Sequence, residues 1–336
     1  CTAVCKPSEH CPTVSNALAE LFPKYLDPTA YFVVNGAVEE TSRLLELRWD
    51  HIFYTGSNRI GRIVATAAAK HVTPTTLELG GKCPAIIDPA NPNFELCAKR
   101  ILYGKQANLG QICVSPDYVL VPKDKQSEIL AAFEKVYAQF WPNGCLQSPD
   151  IGHIISPAHH ARLRRLVESS RGEVFLGGKT EGDRKMEITV LKDVPLDDIL
   201  MEDEIYGPIL ALVPVDDVDH AIRIIAERNT PLAIYVFTED ESIKKKFLER
   251  TASGTLVLND TYQQLAVHEM PFGGQGESGY GAYLGKTSFT TFTHQRSYIN
   301  VPFAADPYMA LRYPPYSDQA VQALGTFGMH MKIPEA

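Results

Sequence analysis

Cys113 lies between Ile112 and Val114 in the stretch Asn108-Leu109-Gly110-Gln111-Ile112-Cys113. A cysteine thiolate is a strong nucleophile that can carry an acyl group as a thioester. A free cysteine with apolar neighbours is more often a small core hydrophobe, so the flanking residues alone favour a packed thiol. Glu78, in Leu77-Glu78-Leu79-Gly80-Gly81-Lys82, is a carboxylate in an apolar setting just before a glycine pair. Desolvation there raises its pKa toward the range of a general base. The alternative is a buried glutamate paired with a lysine or a helix end. In Glu204-Ile205-Tyr206-Gly207-Pro208, Glu204 has the chemistry to bind a sugar diol and Tyr206 to pack against a flat ring. A plain turn accounts for those residues equally well.

Two segments have the chemistry of a phosphate or ribose site. Gly56-Ser57 and Gly61 follow a strand-like run and open a helix, which puts free amides and a helix N-terminus where a pyrophosphate could sit. A tight strand-to-helix turn needs glycine in any case. Lys6-Pro7-Ser8-Glu9 offers Lys6 and Glu9 to ribose hydroxyls, or reads as a helix start with Ser8 capping and Pro7 turning the chain. A literal G-x-G-x-x-G occurs at Gly274-Gln275-Gly276-Glu277-Ser278-Gly279. It has no strand before it and no regular helix after it, so it reads as a loop. His159-His160 opens a basic amphipathic helix and reads as solvated surface. Cys1, Cys5, His10 and Cys11 match no zinc spacing, and no metal is expected.

The elements that must position these residues alternate. Over the first eighty residues, strand-like Thr2–Pro7, Ala30–Gly36, His51–Gly56 and Thr73–Gly81 are separated by helical stretches. The helix at 12–25 carries Leu18, Leu21, Phe22 and Tyr25 on one side. This pattern predicts a parallel sheet with helices on its faces. A second α/β segment follows, with a strand at 83–89, an amphipathic helix at 93–109, a strand at 118–122 and a helix at 125–140. It continues through the strand–helix–strand unit Ile209–Val215, Asp219–Arg228, Leu232–Thr238. Past about residue 262 the periodicity fades into a Gly-rich loop and a tail rich in proline and tyrosine.

At 336 residues the chain suits two domains. Its net charge of −8 gives no support for nucleic-acid binding. The seven cysteines are odd in number and form no C-x-x-C pair, which points to a reducing compartment. No apolar run approaches 18 residues, so no transmembrane segment is expected. The chain opens on Cys1 in a strand-like run, which reads as the middle of a domain.

Taken together, Lys6–Glu9, Phe53–Gly61, Glu78–Lys82, Asn108–Cys113 and Glu204–Pro208 resemble the aldehyde dehydrogenase superfamily in type and order, across nearly the whole chain. The stretches Pro116–Pro122, His268–His294 and Leu311–Ser317 look most like its class 3 and fatty aldehyde dehydrogenase branch. The resemblance implies an α/β fold. Residues 1–80 would be a Rossmann-like NAD(P)-binding domain, incomplete at its N-terminus. Residues 81–290 would be an α/β catalytic (thiol) domain, and 291–336 an oligomerisation strand and C-terminal tail.

It also implies roles. Cys113 is the nucleophile, whose thiohemiacetal yields a thioester, and Glu78 activates the water that hydrolyses it. The backbone N–H of Cys113 donates to the oxyanion. Lys6 and Glu9 lie at the adenosine ribose, Ser57 and the amides near Gly56 at the pyrophosphate, and Glu204 at the nicotinamide ribose with Tyr206 beside it. Ser8, Gly61, Leu79 and Gly80 complete the expected cofactor-binding residues. The implied cofactor is NAD or NADP, with Glu9 disfavouring a 2′-phosphate. The implied reaction is oxidation of medium- or long-chain aliphatic, or aromatic, aldehydes to acids.

Two departures stand out. The family's side-chain oxyanion donor, an Asn in a Trp-Asn-aromatic-Pro motif, belongs upstream of Lys6, and the chain begins too late to include it. Gln275 stands where relatives often have Val. The alternatives are a CoA-acylating dehydrogenase and a catalytically impaired, truncated paralogue or fragment. A homodimer and a cytoplasmic location, with peripheral membrane association open, complete the expectations.

Overall fold

The computed structural model describes residues 1–328; residues 329–336 of the predicted tail lie outside the described residues. The first eighty residues run β1 (Ala3–Cys5), α1 (Pro12–Tyr25), β2 (Tyr31–Val33), α2 (Val38–Leu45), β3 (Ile52–Gly56), α3 (Asn58–Ala69) and β4 (Thr75–Leu79). The predicted alternation is present, but these strands do not share one sheet. Among the described residues β1 pairs with β2 alone, in parallel, with Ala3 opposite Tyr31. β3 pairs in parallel with β4, Ile52 opposite Thr75, in a separate sheet. Alternation specifies strand direction and crossover hand, but not which strands become neighbours.

The helix after Lys6–Glu9 spans the expected residues 12–25, but its cap differs. Its N-cap is Cys11, with Pro12 in the first turn. Ser8 does not cap it. The Ser8 hydroxyl accepts the His10 N–H at 3.2 Å, and Ser8 O accepts the Ser15 hydroxyl at 2.8 Å. A serine closing its own tight turn is a local competitor of helix capping.

After Gly81 the chain builds β5 (Cys83–Ile87), α4 (Phe94–Gln106), β6 (Pro116–Pro122), α5 (Gln126–Phe140), α6 (Pro157–Ser169), β7 (Glu173–Leu176), the small hairpin β8 (Thr180–Glu181) and β9 (Lys185–Met186), then β10 (Thr189–Lys192), β11 (Ile209–Val215), α7 (Val218–Ala226), β12 (Ala233–Phe237), α8 (Glu241–Arg250) and β13 (Thr255–Leu258). Seven strands join in the order β13-β12-β5-β6-β11-β10-β7, all parallel to their neighbours except the edge strand β7. Every residue of β5, β6 and β12 is buried, as expected of a parallel sheet covered on both faces. Asn93, Ser156, Asp217 and Asp240 cap α4, α6, α7 and α8 through their side chains. In α6, His160 is buried rather than solvated, with its Nε2 3.1 Å from Lys185 O. The helix packs that side inward, and the basic residues around it mask this in the sequence.

The last part holds α9 (Gln263–Ala266), β14 (Gly279–Tyr280) and α10 (Gly285–Thr291). β14 lies antiparallel on β4 and puts Gly279 opposite Glu78. A second unit begins at Thr293 and contains a 3-10 stretch, Phe303–Arg312, and α11 (Asp318–Gly328).

Candidate active site

The loops that matter leave the strands at opposite ends. Lys6–Glu9, Gly56-Ser57 and Leu79-Gly80 follow the C-terminal ends of β1, β3 and β4, whereas Cys113 and Glu204 precede the N-terminal ends of β6 and β11. The Gly80-Gly81 link joins the two sets.

Cys113 sits in a distorted connection between α4 and β6. Asn108, Leu109 and Gly110 all have positive φ, at 48°, 52° and 67°. Two non-glycine residues in that region are held against their preference, and neighbouring bonds do the holding. The Asn108 amide donates to Gln111 O, and the Gln111 amide donates to Asn108 O and to His153 O. The Ser115 N–H then donates to Ile112 O at 2.9 Å, which closes a β-turn with Cys113 and Val114 at its centre. A Cβ built on Gly110 would lie 2.2 Å from Gly207 O, so only glycine lets this loop meet the loop that carries Glu204.

Electrostatics tie Cys113 to Glu78 and Glu204. Burial pushes the Cys113 thiol up to about 11, and the charges of Glu204 and Glu78 add to the rise. The backbone amides of Cys113 and Val114 point at its sulfur and pull the other way. Glu78 is 3% exposed, its Oε1 has no hydrogen-bond partner among the described residues, and burial raises its carboxyl to about 7. A carboxyl that titrates there is suited to general-base work at neutral pH. Glu204 is raised to about 8, mainly by burial and then by Asp117, while the Gly81 amide opposes the shift. Its carboxylate lies against Gly80, where a Cβ would come within 2.0 Å of Oε2.

A buried ion cluster holds the Glu204 loop. Asp117, on β6, accepts from Lys82 Nζ at 3.0 Å and from the Ile205 N–H at 2.9 Å, and its Oδ1 is 3.6 Å from Lys105 Nζ. Lys82 also donates to Asp203 O, Lys105 to Gly207 O and Arg162 to Ile205 O. Lys105 is fully buried, which brings its ammonium down to about 8 despite Asp117. These contacts hold the 203–207 backbone so that Glu204 lies against Gly80 and both Glu204 and Tyr206 come within electrostatic reach of Cys113. Tyr206 is in the left-handed region, at φ 48°, and is 41% exposed.

On the other side of Gly80, Lys6 Nζ donates to Pro7 O at 2.6 Å and to Gly36 O at 3.0 Å, and lies 3.5 Å from Glu9 Oε2. Ser57 is the N-cap of α3 and makes no side-chain cap bond, which leaves the first amides of α3 for a ligand, while its own hydroxyl and N–H meet the Tyr54 hydroxyl. Gly61 faces Leu79, where a Cβ would lie 2.6 Å from the Leu79 side chain. Its evident task is close helix–strand packing, and Leu79 has only its backbone to offer the crevice. The pairing of a lysine and an acid with a bare helix N-terminus, a bare Gly80 and a half-buried carboxyl at Glu204 fits an extended ligand with hydroxyls and phosphates.

The profile of the aldehyde dehydrogenase family matches residues 1–298. This chain belongs to that family. Aldehyde dehydrogenase family 3 member A2 of Pongo abelii is 43% identical over 319 residues, which is 95% of this chain and 65% of the relative. The similarity to family 3 members places the chain in the class 3 branch. It spans about two thirds of the length of such relatives or slightly less. Among solved structures, Staphylococcus aureus AldH in a substrate-bound state superimposes with a TM-score of 0.88 at 36% identity, covering 97% of this chain and 71% of that one. A Mycobacterium tuberculosis aldehyde dehydrogenase complexed with NAD+ does so with a TM-score of 0.79 at 31% identity, covering 88% and 62%.

Within this aldehyde dehydrogenase fold several neighbours of the site were not singled out by sequence. Asp117, Lys105 and Arg162 grip the Glu204 loop from elements far away in the chain. Tyr283 lies near enough to Glu78 and Cys113 for their charges to raise its hydroxyl, behind the effect of burial. The Gly274–Gly279 loop buttresses the start of α3, where the Asn58 amide donates to Glu277 O and Arg62 pairs with the Glu277 carboxylate. The usable signal was the isolated charge in an apolar run, as at Lys105, because such a charge must have a partner.

Proposed function

We propose that this chain carries the catalytic machinery of an NAD- or NADP-dependent dehydrogenase that oxidises aliphatic or aromatic aldehydes to carboxylic acids. The observation that supports it most is the convergence of one half-buried thiol, Cys113, with a carboxyl poised near neutrality, Glu78, at the Gly80-Gly81 link. Residues 1–80 hold the cofactor and residues 81–290 the chemistry. Lys6, Ser8 and Glu9 meet the adenosine ribose. The amides around Gly56 and Ser57 meet the diphosphate. Leu79 and Gly80, through their backbone, meet the nicotinamide ribose with Glu204 and Tyr206. When bound, the cofactor supplies the hydride acceptor.

The chain's own residues do the rest. The Cys113 thiolate adds to the aldehyde carbon, and the new oxyanion faces the Cys113 amide. The sulfur keeps the acyl group as a thioester after oxidation. Glu78 takes a proton from water, whose oxygen attacks the thioester and releases the acid and the thiol. A free carboxyl in this position favours an acid product over transfer to coenzyme A. Among the described residues no helix is long and apolar enough to cross a membrane. The exposed Tyr298, Ile299 and Phe303 supply apolar surface for the homodimer that completes this reading.

The test is the absorbance of reduced cofactor at 340 nm with hexanal or benzaldehyde, on the 336-residue chain and on a form extended upstream. Cys113→Ser should lower turnover by about 10³ or more. Retention of full activity by that variant would remove Cys113 from the mechanism.

A further inference from the structure

The turn around Cys113 presents two carbonyls away from the sulfur, and each is met by a side chain from a distant part of the chain. Tyr235 Oη donates to Val114 O at 2.6 Å, across 121 residues. Gln264 Nε2 donates to Tyr235 Oη at 3.0 Å. Cys83 Sγ lies 3.5 Å from Cys113 O, a weak S–H contact. Tyr235 and Cys83 are fully buried and Gln264 nearly so, which leaves water no ready access to these carbonyls.

The direction of the chain of bonds is determined by chemistry. Val114 O can only accept, so the Tyr235 proton is committed to it. The tyrosine oxygen must then accept from Gln264, which requires Gln264 to turn its NH₂ inward and leave Oε1 unpartnered, as it is. A trans peptide points its N–H opposite to its C=O. Holding Cys113 O therefore aims the Val114 N–H back across the turn. Holding Val114 O aims the Ser115 N–H at Ile112 O, the bond that closes the turn.

We propose that Tyr235, oriented by Gln264, and Cys83 are positioning residues for the nucleophile: they take up the outward carbonyls of the Ile112–Ser115 turn so that its inward amides face the Cys113 sulfur and the oxyanion formed there. This rests on the reading of Cys113 as the nucleophile. None of the three need touch the aldehyde or the cofactor. Their role is to keep two peptide planes from rotating while charge develops on sulfur and oxygen, the sort of preorganisation that gives an oxyanion site its strength.

The experiment is site-resolved alkylation of the full chain by iodoacetamide, followed by peptide mass spectrometry at a series of pH values. Only the thiolate reacts. Tyr235→Phe should slow Cys113 alkylation about fivefold at a given pH, the effect of one ordinary hydrogen bond. Turnover should fall by a similar factor, with KM for the aldehyde within about twofold. A merely structural role would do the reverse, because a loosened core speeds Cys113 together with buried Cys97 and Cys145.

Gln264→Glu is the second variant, should Tyr235→Phe not fold. Its carboxylate accepts the tyrosine proton, takes it from Val114 O, and should slow Cys113 in the same way. Cys83→Ala should slow it by a smaller factor, and Cys83→Ser, which keeps a donor, should restore the rate. Unchanged Cys113 rates in both Tyr235→Phe and Gln264→Glu, or rates that rise with those of Cys97 and Cys145, would overturn the proposal. If alkylated Cys113 leaves aldehyde turnover intact, the nucleophile reading fails, whereas the alkylation rates still judge the turn.

Discussion

The strands before Gly80 and the strands after it serve the site from opposite ends and at different depths. β1, β3 and β4 deliver their loops from C-terminal ends, the usual ligand side of a parallel α/β sheet. β6 and β11 receive Cys113 and Glu204 at their N-terminal ends. The first region is thin: β1 and β2 have three residues each, none fully buried, and they form a sheet of two. The second is a seven-stranded sheet whose central strands are wholly buried. Under the proposed function the difference separates two physical tasks. Binding a long flexible ligand tolerates a shallow, partly exposed surface. Holding a thiol against a carboxyl with its amides aligned requires residues whose neighbours cannot move.

If depth is what separates the regions, breaking a contact in the buried sheet should cost stability and breaking one in the thin sheets should cost only affinity. The largest effect is expected at Asp117. Asp117→Ala leaves Lys82 and Lys105 without their carboxylate and the Ile205 N–H without its acceptor. A loss of about 3–5 kcal/mol is expected in urea unfolding, as for other broken buried pairs. A loss below about 1 kcal/mol would show that the cluster does not hold this region together.

Glu78 sits where the regions join, and its effect should be on rate and on pH. In the proposed mechanism the carboxylate form is the base, so wild-type turnover should rise with pH through about 7. Glu78→Gln should lower turnover by about 10²–10⁴, remove that limb and leave acyl-Cys113 detectable by mass spectrometry. The sign for stability is opposite. Between the ordinary 4.5 and about 7, the folded chain keeps a proton that the unfolded chain has lost, so stability from this group falls as pH rises across that window. Glu78→Gln should flatten this fall in thermal melts. A wild-type profile flat from pH 6 to 8 would count against Glu78 as the base.

The smallest effect is expected in the thin region. Lys6 is tied to Pro7 O, Gly36 O and Glu9, near the surface. Lys6→Met should raise the cofactor KM about tenfold while kcat and the melting temperature stay nearly unchanged. A melting temperature several degrees lower would mean that Lys6 holds β1 and β2 in place and would erase the distinction drawn between the regions.

Much of the site was legible before any coordinates. Cys113 and Glu78 stood in ordered segments with the residues of a family, and each segment carried a local reason, such as the glycine pair after Glu78 or the strand-to-helix turn at Gly56. The departures have equally local causes. Ser8 closes its own turn rather than capping α1, and His160 is hidden by the basic residues of its helix. The single sheet expected for residues 1–80 became two because strand order is a long-range property.

The sequence by itself determined the α/β class, the family, the order of the segments and the thiol and carboxyl on which the proposed chemistry rests. Those signals are short-range: side-chain type, spacing and turn chemistry act within a few residues of one another. Only the tertiary structure decided which strand ends meet at Gly80-Gly81, that Asp117 and its lysines hold the Glu204 loop, and that Tyr235 meets the carbonyl beside Cys113. Those contacts join groups about ninety to 120 residues apart in the chain. Their strength comes from burial, and burial exists only once the sheet is closed around them.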